Sequence, residues 1–233
     1  MVAGVVFDLF HTLVDPEDFR PKDFRRAEAV ATILGLDKAA FQLYWESTVR
    51  MRMSAPRREI EYVSDFLAAV GKEPSDSALA EADEALGRYQ DLALLRPRDE
   101  VVKALKLLRE RGLKMGILSN TYERDVREWP RSPLAGYFDS VAFSHQTGLM
   151  KPELGAYLVI LGLLGVSPAS CVYVGDGGSH ELAGAKKAGF GRVFFMSHFV
   201  ARNGLRSGQQ LEEAEAEADM RVDSYDGLCQ TVR

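Results

Sequence analysis

Two acids stand where a carboxylate could do chemistry. Asp8 cuts off an apolar run in "VVFDLFHTLVD", with Thr12 close behind, and Asp176 ends "VYVGD" in "VYVGDGGSHELAGA", with Glu181 following. Between them in the chain lie Ser119 and Asn120 in "ILSNT" and Lys151 in "GLMKPE". A carboxylate at the mouth of a sheet can attack phosphorus or carbon and form a covalent ester, splitting one hard step into two. Asp8 is the candidate nucleophile. A phosphoryl group concentrates negative charge, so its site needs a cation, hydroxyl and amide donors, and usually a divalent metal. Lys151, Ser119, Asn120 and Asp176 are of those types.

Residues so far apart meet only if the chain places them on one edge. After Pro97 helical and short apolar segments alternate: "RDEVVKALKLLRERG" then "LKMGILSN", "ELGAYLVILGLLG" then "SCVYVGD", "HELAGAKKAG" then "RVFFMS". Strands apolar on both faces, alternating with helices, predict a parallel sheet covered on both sides, an α/β Rossmann-like core. Right-handed crossovers then bring all strand carboxyl ends to one edge, where open α/β sheets bind ligands. Asp8, Ser119 and Asp176 each fall at such an end. Residues 15–95 show helical spacing instead: Ile60, Val63, Phe66, Leu67 and Val70 form one stripe, and Leu79, Ala82, Leu86 and Tyr89 another. With helices expected over 22–34 and 38–53, this predicts a four-helix-bundle cap over 15–95, inserted into a core of 1–14 and 96–233. The closing segment reads as an acidic solvated helix, a short edge strand and a last helix.

Composition narrows the class. The 233 residues are 46% hydrophobic and 27% charged with a net charge of −5, which suits an ordinary soluble protein and argues against a nucleic-acid partner. No run approaches the roughly 20 apolar residues of a membrane span. The apolar start has neither a basic leader nor a small-residue cleavage site, so no signal peptide is expected. Cys171 and Cys229 are too few for a disulfide framework and lack metal-ligand spacing. A cytoplasmic monomer or homodimer is expected.

In order, "FDLFHTL", "ILSNT", "MKPE" and "VYVGDGGSHE" resemble the four signatures of the haloacid dehalogenase-like (HAD) hydrolases, over almost the whole chain and including a helical cap inserted after the first strand. The resemblance implies Asp8 as nucleophile and, within the first signature, Thr12 among the catalytic residues. It implies Ser119 binding a phosphate oxygen, Lys151 steadying nucleophile and phosphate, and Asp176 holding Mg2+. Glu181, at the place where many relatives have Asp, would orient the waters of the metal or Lys151. Phe10 and Asn120 would stand beside the substrate.

In HAD phosphatases the residue two after the nucleophile lends the metal its backbone carbonyl, and its usual carboxylate protonates the leaving group. Phe10 keeps the carbonyl and lacks the acid. Mg2+ prefers oxygen ligands and retains waters, so Asp8, Asp176 and one carbonyl suffice with a substrate oxygen. An aromatic at this place is also similar to the 2-haloacid dehalogenases, which displace halide without a metal. Those carry an arginine directly after a cap tryptophan and lack the strand-four acid. Here Glu46 follows Trp45 and Asp176 is present, so the expectation is a Mg2+-dependent phosphatase acting on a small anionic, phosphorylated substrate. A weakly active phospho-ligand binder remains a third possibility. His11 beside the nucleophile reaches the site only if the turn directs it there. Arg50, Arg52, Arg57 and Arg58 either face the cleft or lie on an exposed helix face.

Overall fold

The computed structural model describes residues 2–232. Among them six strands form one parallel sheet: β1 (Gly4–Phe7), β2 (Lys114–Ser119), β3 (Ser140–Phe143), β4 (Cys171–Gly175), β5 (Arg192–Met196) and β6 (Met220–Val222). Their order is β3-β2-β1-β4-β5-β6. The helices are α1 (Arg26–Ile33), α2 (Lys38–Ser47), α3 (Val49–Met53), α4 (Glu59–Ala69), α5 (Asp76–Leu95), α6 (Asp99–Glu110), α7 (Ser144–Thr147), α8 (Leu154–Leu164), α9 (Glu181–Lys187), α10 (His198–Asn203), α11 (Gly208–Glu217) and α12 (Tyr225–Thr231).

Alternate strand residues feed two cores. Val5, Phe7, Met115, Ile117, Val172, Val174, Phe194 and Met196 pack on one face with α6 and α12. Val6, Leu118, Tyr173, Val193 and Phe195 pack on the other with α8 and α9. Both faces are covered, which explains why the strands are apolar without alternation. β3 is an addition to the strands expected from sequence. It is short, at an edge, and half-buried over Ser140 and Val141, so its apolar signal is weak.

The chain runs outward from β1 to β2 and β3, then returns to β4 on the other side of β1. This reversal opens a crevice at the carboxyl ends of β1 and β4, the place where doubly wound sheets take ligands. Register brings the acids there: Phe7 pairs with Val174, and the Asp8 amide donates to the Val174 carbonyl at 2.9 Å. Asp8 and Asp176 therefore leave neighbouring strands side by side.

The segment between β1 and β2 is helical, as its periodicity predicts, and packs its own core around Val30, Phe41, Trp45, Ile60, Val63 and Leu86. The helix expected over 38–53 breaks at Thr48, whose hydroxyl turns back to the Tyr44 carbonyl at 3.1 Å, leaving the short α3. Buried ion pairs tie this layer to the sheet. Arg124 forks onto Asp91 at 2.7 and 2.6 Å, and Arg26 meets Asp125 at 2.6 Å. Gly87 in α5 makes room, since a Cβ there would run into the Arg124 guanidinium. No helix among the described residues is long and apolar enough to cross a membrane.

Candidate active site

Asp8 lies at the floor of a cavity of about 500 Å³ that Phe10, His11, Ser119, Asn120, Lys151, Asp176 and Glu181 also line. Its Oδ1 accepts from Lys151 Nζ at 2.5 Å and from Ser119 Oγ at 3.1 Å. Lys151 Nζ also bonds Glu181 Oε2 and sits 3.3 Å from the Tyr173 hydroxyl. Burial works against the ammonium, but the carboxylates of Asp8 and Glu181 outweigh it and hold the Lys151 pKa above its ordinary value. The lysine is a fixed cation.

Glu181 is held from several directions. Its Oε2 also accepts from Tyr173 Oη at 2.7 Å, and its Oε1 accepts from the Gly177 amide at 3.0 Å. Burial, with Asp8 and Asp176 nearby and Lys151 opposing, pushes its pKa up to about 8. Gly175 leaves the space: a Cβ there would collide with Glu181 Oε1. Asn120 clamps the backbone of Lys151 from both ends of its amide, accepting from Lys151 N at 2.8 Å and donating to its carbonyl at 3.0 Å. Its side chain thus positions the lysine rather than reaching for a ligand.

One oxygen of each of Asp8, Asp176 and Glu181 lies within 4.8 Å of the others. Hard oxygen donors gathered this closely suit a divalent cation such as Mg2+. The turn after β1 also frees a carbonyl. The Leu9 and Val14 carbonyls take the backbone bonds there, leaving that of Phe10 without a backbone partner among the described residues.

Thr12 is placed differently from the other site candidates. It is fully buried, does not line the cavity, and its Oγ1 has no partner among the described residues, while its carbonyl accepts from Tyr225 Oη at 2.6 Å. His11 does reach the cavity, its φ of 61° turning the chain in the left-handed region that favours glycine, and its Nδ1 lies 3.1 Å from Asp15 Oδ1. Of Arg50, Arg52, Arg57 and Arg58, none lines the cavity. Arg52 is buried instead, paired with Glu59 and stacked 3.6 Å from the Trp45 ring, while Arg50 is exposed and pairs with Glu153 at 2.6 Å.

Several lining residues escaped sequence reasoning. Arg206 reaches in from the loop between α10 and α11 to pair with Asp176 Oδ2. Arg20 and Gln90 line the cavity from the segment inserted between β1 and β2. Tyr173, which does not line the cavity but bonds Glu181 and lies near Lys151, alone left a signal: a hydroxyl in an otherwise apolar strand.

An acid just after β1, a hydroxyl on β2, a lysine before α8 and a second acid just after β4 converge at the switch point of a parallel sheet. The chain belongs to the haloacid dehalogenase-like hydrolases, whose family model matches residues 2–189. It is 29% identical to a glyceraldehyde 3-phosphate phosphatase of Methanopyrus kandleri over 81% of this chain and 82% of that one. It is 27% identical to an (S)-2-haloacid dehalogenase of Xanthobacter autotrophicus over 89% and 81%. A HAD phosphatase from Thermococcus onnurineus has a similar fold, with a TM-score of 0.65 at 23% identity over 100% of this chain and 98% of that one.

Proposed function

We propose that this hydrolase is a Mg2+-dependent phosphatase of small phosphate monoesters, working through an aspartyl phosphate on Asp8. The observation that carries the reading is the convergence of Asp8 and Asp176 beside Lys151 and Ser119 in one cavity. Asp8, Asp176 and the Phe10 carbonyl would hold the ion, which supplies charge neutralisation for the phosphoryl oxygens. Asp8 attacks phosphorus; the new Asp8–phosphorus bond forms as the ester oxygen departs with its electron pair. Ser119 and Lys151 donate to phosphoryl oxygens, and Glu181 and Asn120 keep Lys151 in place. Water then attacks phosphorus, the bond to Asp8 breaks, and phosphate leaves.

The dehalogenase reading finds less support. Glu46 lies outside the cavity lining and bonds Gln42 at 2.7 Å, so the halide-receiving position after Trp45 carries no cation, and Asp176 would repel a halide. The test is p-nitrophenyl phosphate hydrolysis with Mg2+ and with EDTA. Activity restored only by the metal supports the proposal, whereas chloride release from 2-chloropropionate in EDTA would replace it.

Two variants probe the departures from a common phosphatase site. Arg206 competes with any cation for Asp176, and a charge-assisted pair must be broken to free that oxygen. Arg206→Gln is expected to tighten Mg2+ binding about tenfold, the scale of such a hydrogen bond, by calorimetry on the protein alone; unchanged affinity overturns it. Phe10 leaves the departing oxygen without a carboxylic acid. General acid help is typically worth about 10²–10⁴-fold, so Phe10→Asp should speed glycerol 3-phosphate hydrolysis at least tenfold more than p-nitrophenyl phosphate hydrolysis, aryl oxides needing little protonation.

A further inference from the structure

The inserted helical segment brings to the cavity polar groups that the phosphoryl chemistry leaves idle. Gln90, on the inner face of α5, is only 7% exposed, lines the cavity, and its side-chain amide makes no hydrogen bond among the described residues. An amide that faces the cavity without a protein partner is free to bond water or a ligand there. Arg20 lines the cavity too, from the segment that enters the cap. Its Nε and Nη2 engage Glu17, which lies outside the lining, so Nη1 remains to meet a ligand. Burial, then the neighbouring cations Arg26 and Arg25, lower the Arg20 pKa against the pull of Asp15 and Asp125, a crowding that an incoming anion relieves.

The remaining wall decides which anion. Val49 and Met53 of α3, together with Met150, are apolar, and Asp125 is already committed to Arg26 and to the Tyr122 amide at 3.1 Å. Guanidinium offers donors only, and the Gln90 amide can donate beside it. A carboxylate accepts from both. A lone hydroxyl offers the guanidinium no charge, and so a weaker bond than a carboxylate gives. A cavity of about 500 Å³ holds an ester of a few carbons, its phosphate at Asp8 and its other end at Arg20.

We infer that the cavity selects small phosphate esters carrying a carboxylate at the end remote from phosphorus, recognised by Arg20 and Gln90. The inference rests on the phosphatase reading above and names its substrate class.

Two esters that differ only at that end make the test: 3-phosphoglycerate bears a carboxylate where glycerol 3-phosphate bears a hydroxymethyl group. Binding to the Asp8→Asn protein is measured by calorimetry with Mg2+, so the comparison does not need turnover. The carboxylated ester is expected to bind about 10–100-fold more tightly, the range of a hydrogen bond to a charged group. In the same background Arg20→Gln should bring the ratio to within about threefold, from the same scale. Gln90→Glu, nearly identical in shape, should invert the preference by setting a carboxylate against a carboxylate, an effect that mere loss of packing would not give. Equal affinities without these changes, or a ratio that neither variant alters, overturn the inference. Failure of p-nitrophenyl phosphate hydrolysis by the unmodified protein would instead overturn the phosphatase reading, and the binding ratio would still decide what Arg20 and Gln90 recognise.

Discussion

Asp8→Asn is expected to lower p-nitrophenyl phosphate hydrolysis by about four orders of magnitude or more, on the scale seen when a covalent nucleophile is removed. The amide matches the carboxylate in shape but offers no anionic oxygen to phosphorus. Packing should survive, because Asn can still accept from Ser119 and Lys151 through its carbonyl oxygen, and Lys151 retains Glu181 as counter-charge. The loss should therefore appear in kcat with the melting temperature nearly unchanged. Residual activity of a few per cent would mean that another group, or a water, attacks phosphorus, and would remove Asp8 from the covalent role.

How much of this was legible beforehand differs between the sheet and the cavity wall. Strands β1, β2, β4 and β5 announce themselves because both faces of each are buried, which forces unbroken apolar runs. The strand-end residues Asp8, Ser119 and Asp176 follow from them, since parallel connectivity leaves little choice about which edge they share. Lys151 and Glu181 needed the family resemblance as well, being set by a loop and the start of α9. Arg20, Gln90 and Arg206 were out of reach. Each lies on an element whose direction depends on how the cap and the α10–α11 loop pack, and neither helical period nor turn residues encode that. Arg52 shows the converse. Its neighbours suggest a charged surface, yet Glu59, the Trp45 ring and the Tyr122 ring 4.5 Å away give it a buried place between cap and sheet.

Lys151→Met should cost both activity and stability, and its pH dependence separates the electrostatic role from packing. Methionine fills similar space without charge, leaving Asp8 and Glu181 close together with only neutral donors, Ser119 Oγ and Tyr173 Oη, between them. Removing one partner of a buried ion pair typically costs about 3–5 kcal/mol, because the surviving charge is left uncompensated. Loss of a preorganised donor to the phosphoryl oxygens should lower kcat by a further measure, about 10²–10³-fold. Glu181 is an acid whose folded pKa, about 8 in the unmodified protein, already lies above its unfolded value. Its contribution to stability is therefore complete below the unfolded pKa and is lost as pH rises through the folded one. Without Lys151 the folded pKa climbs higher still, so proton release continues to destabilise the variant at pH values where the unmodified protein has finished titrating. Urea unfolding should thus find the two proteins closest near pH 5 and furthest apart near pH 9. A gap of the same size at both pH values would mean that Lys151 serves as packing alone, and that the charge balance assigned here to Asp8, Lys151 and Glu181 does not hold the site together.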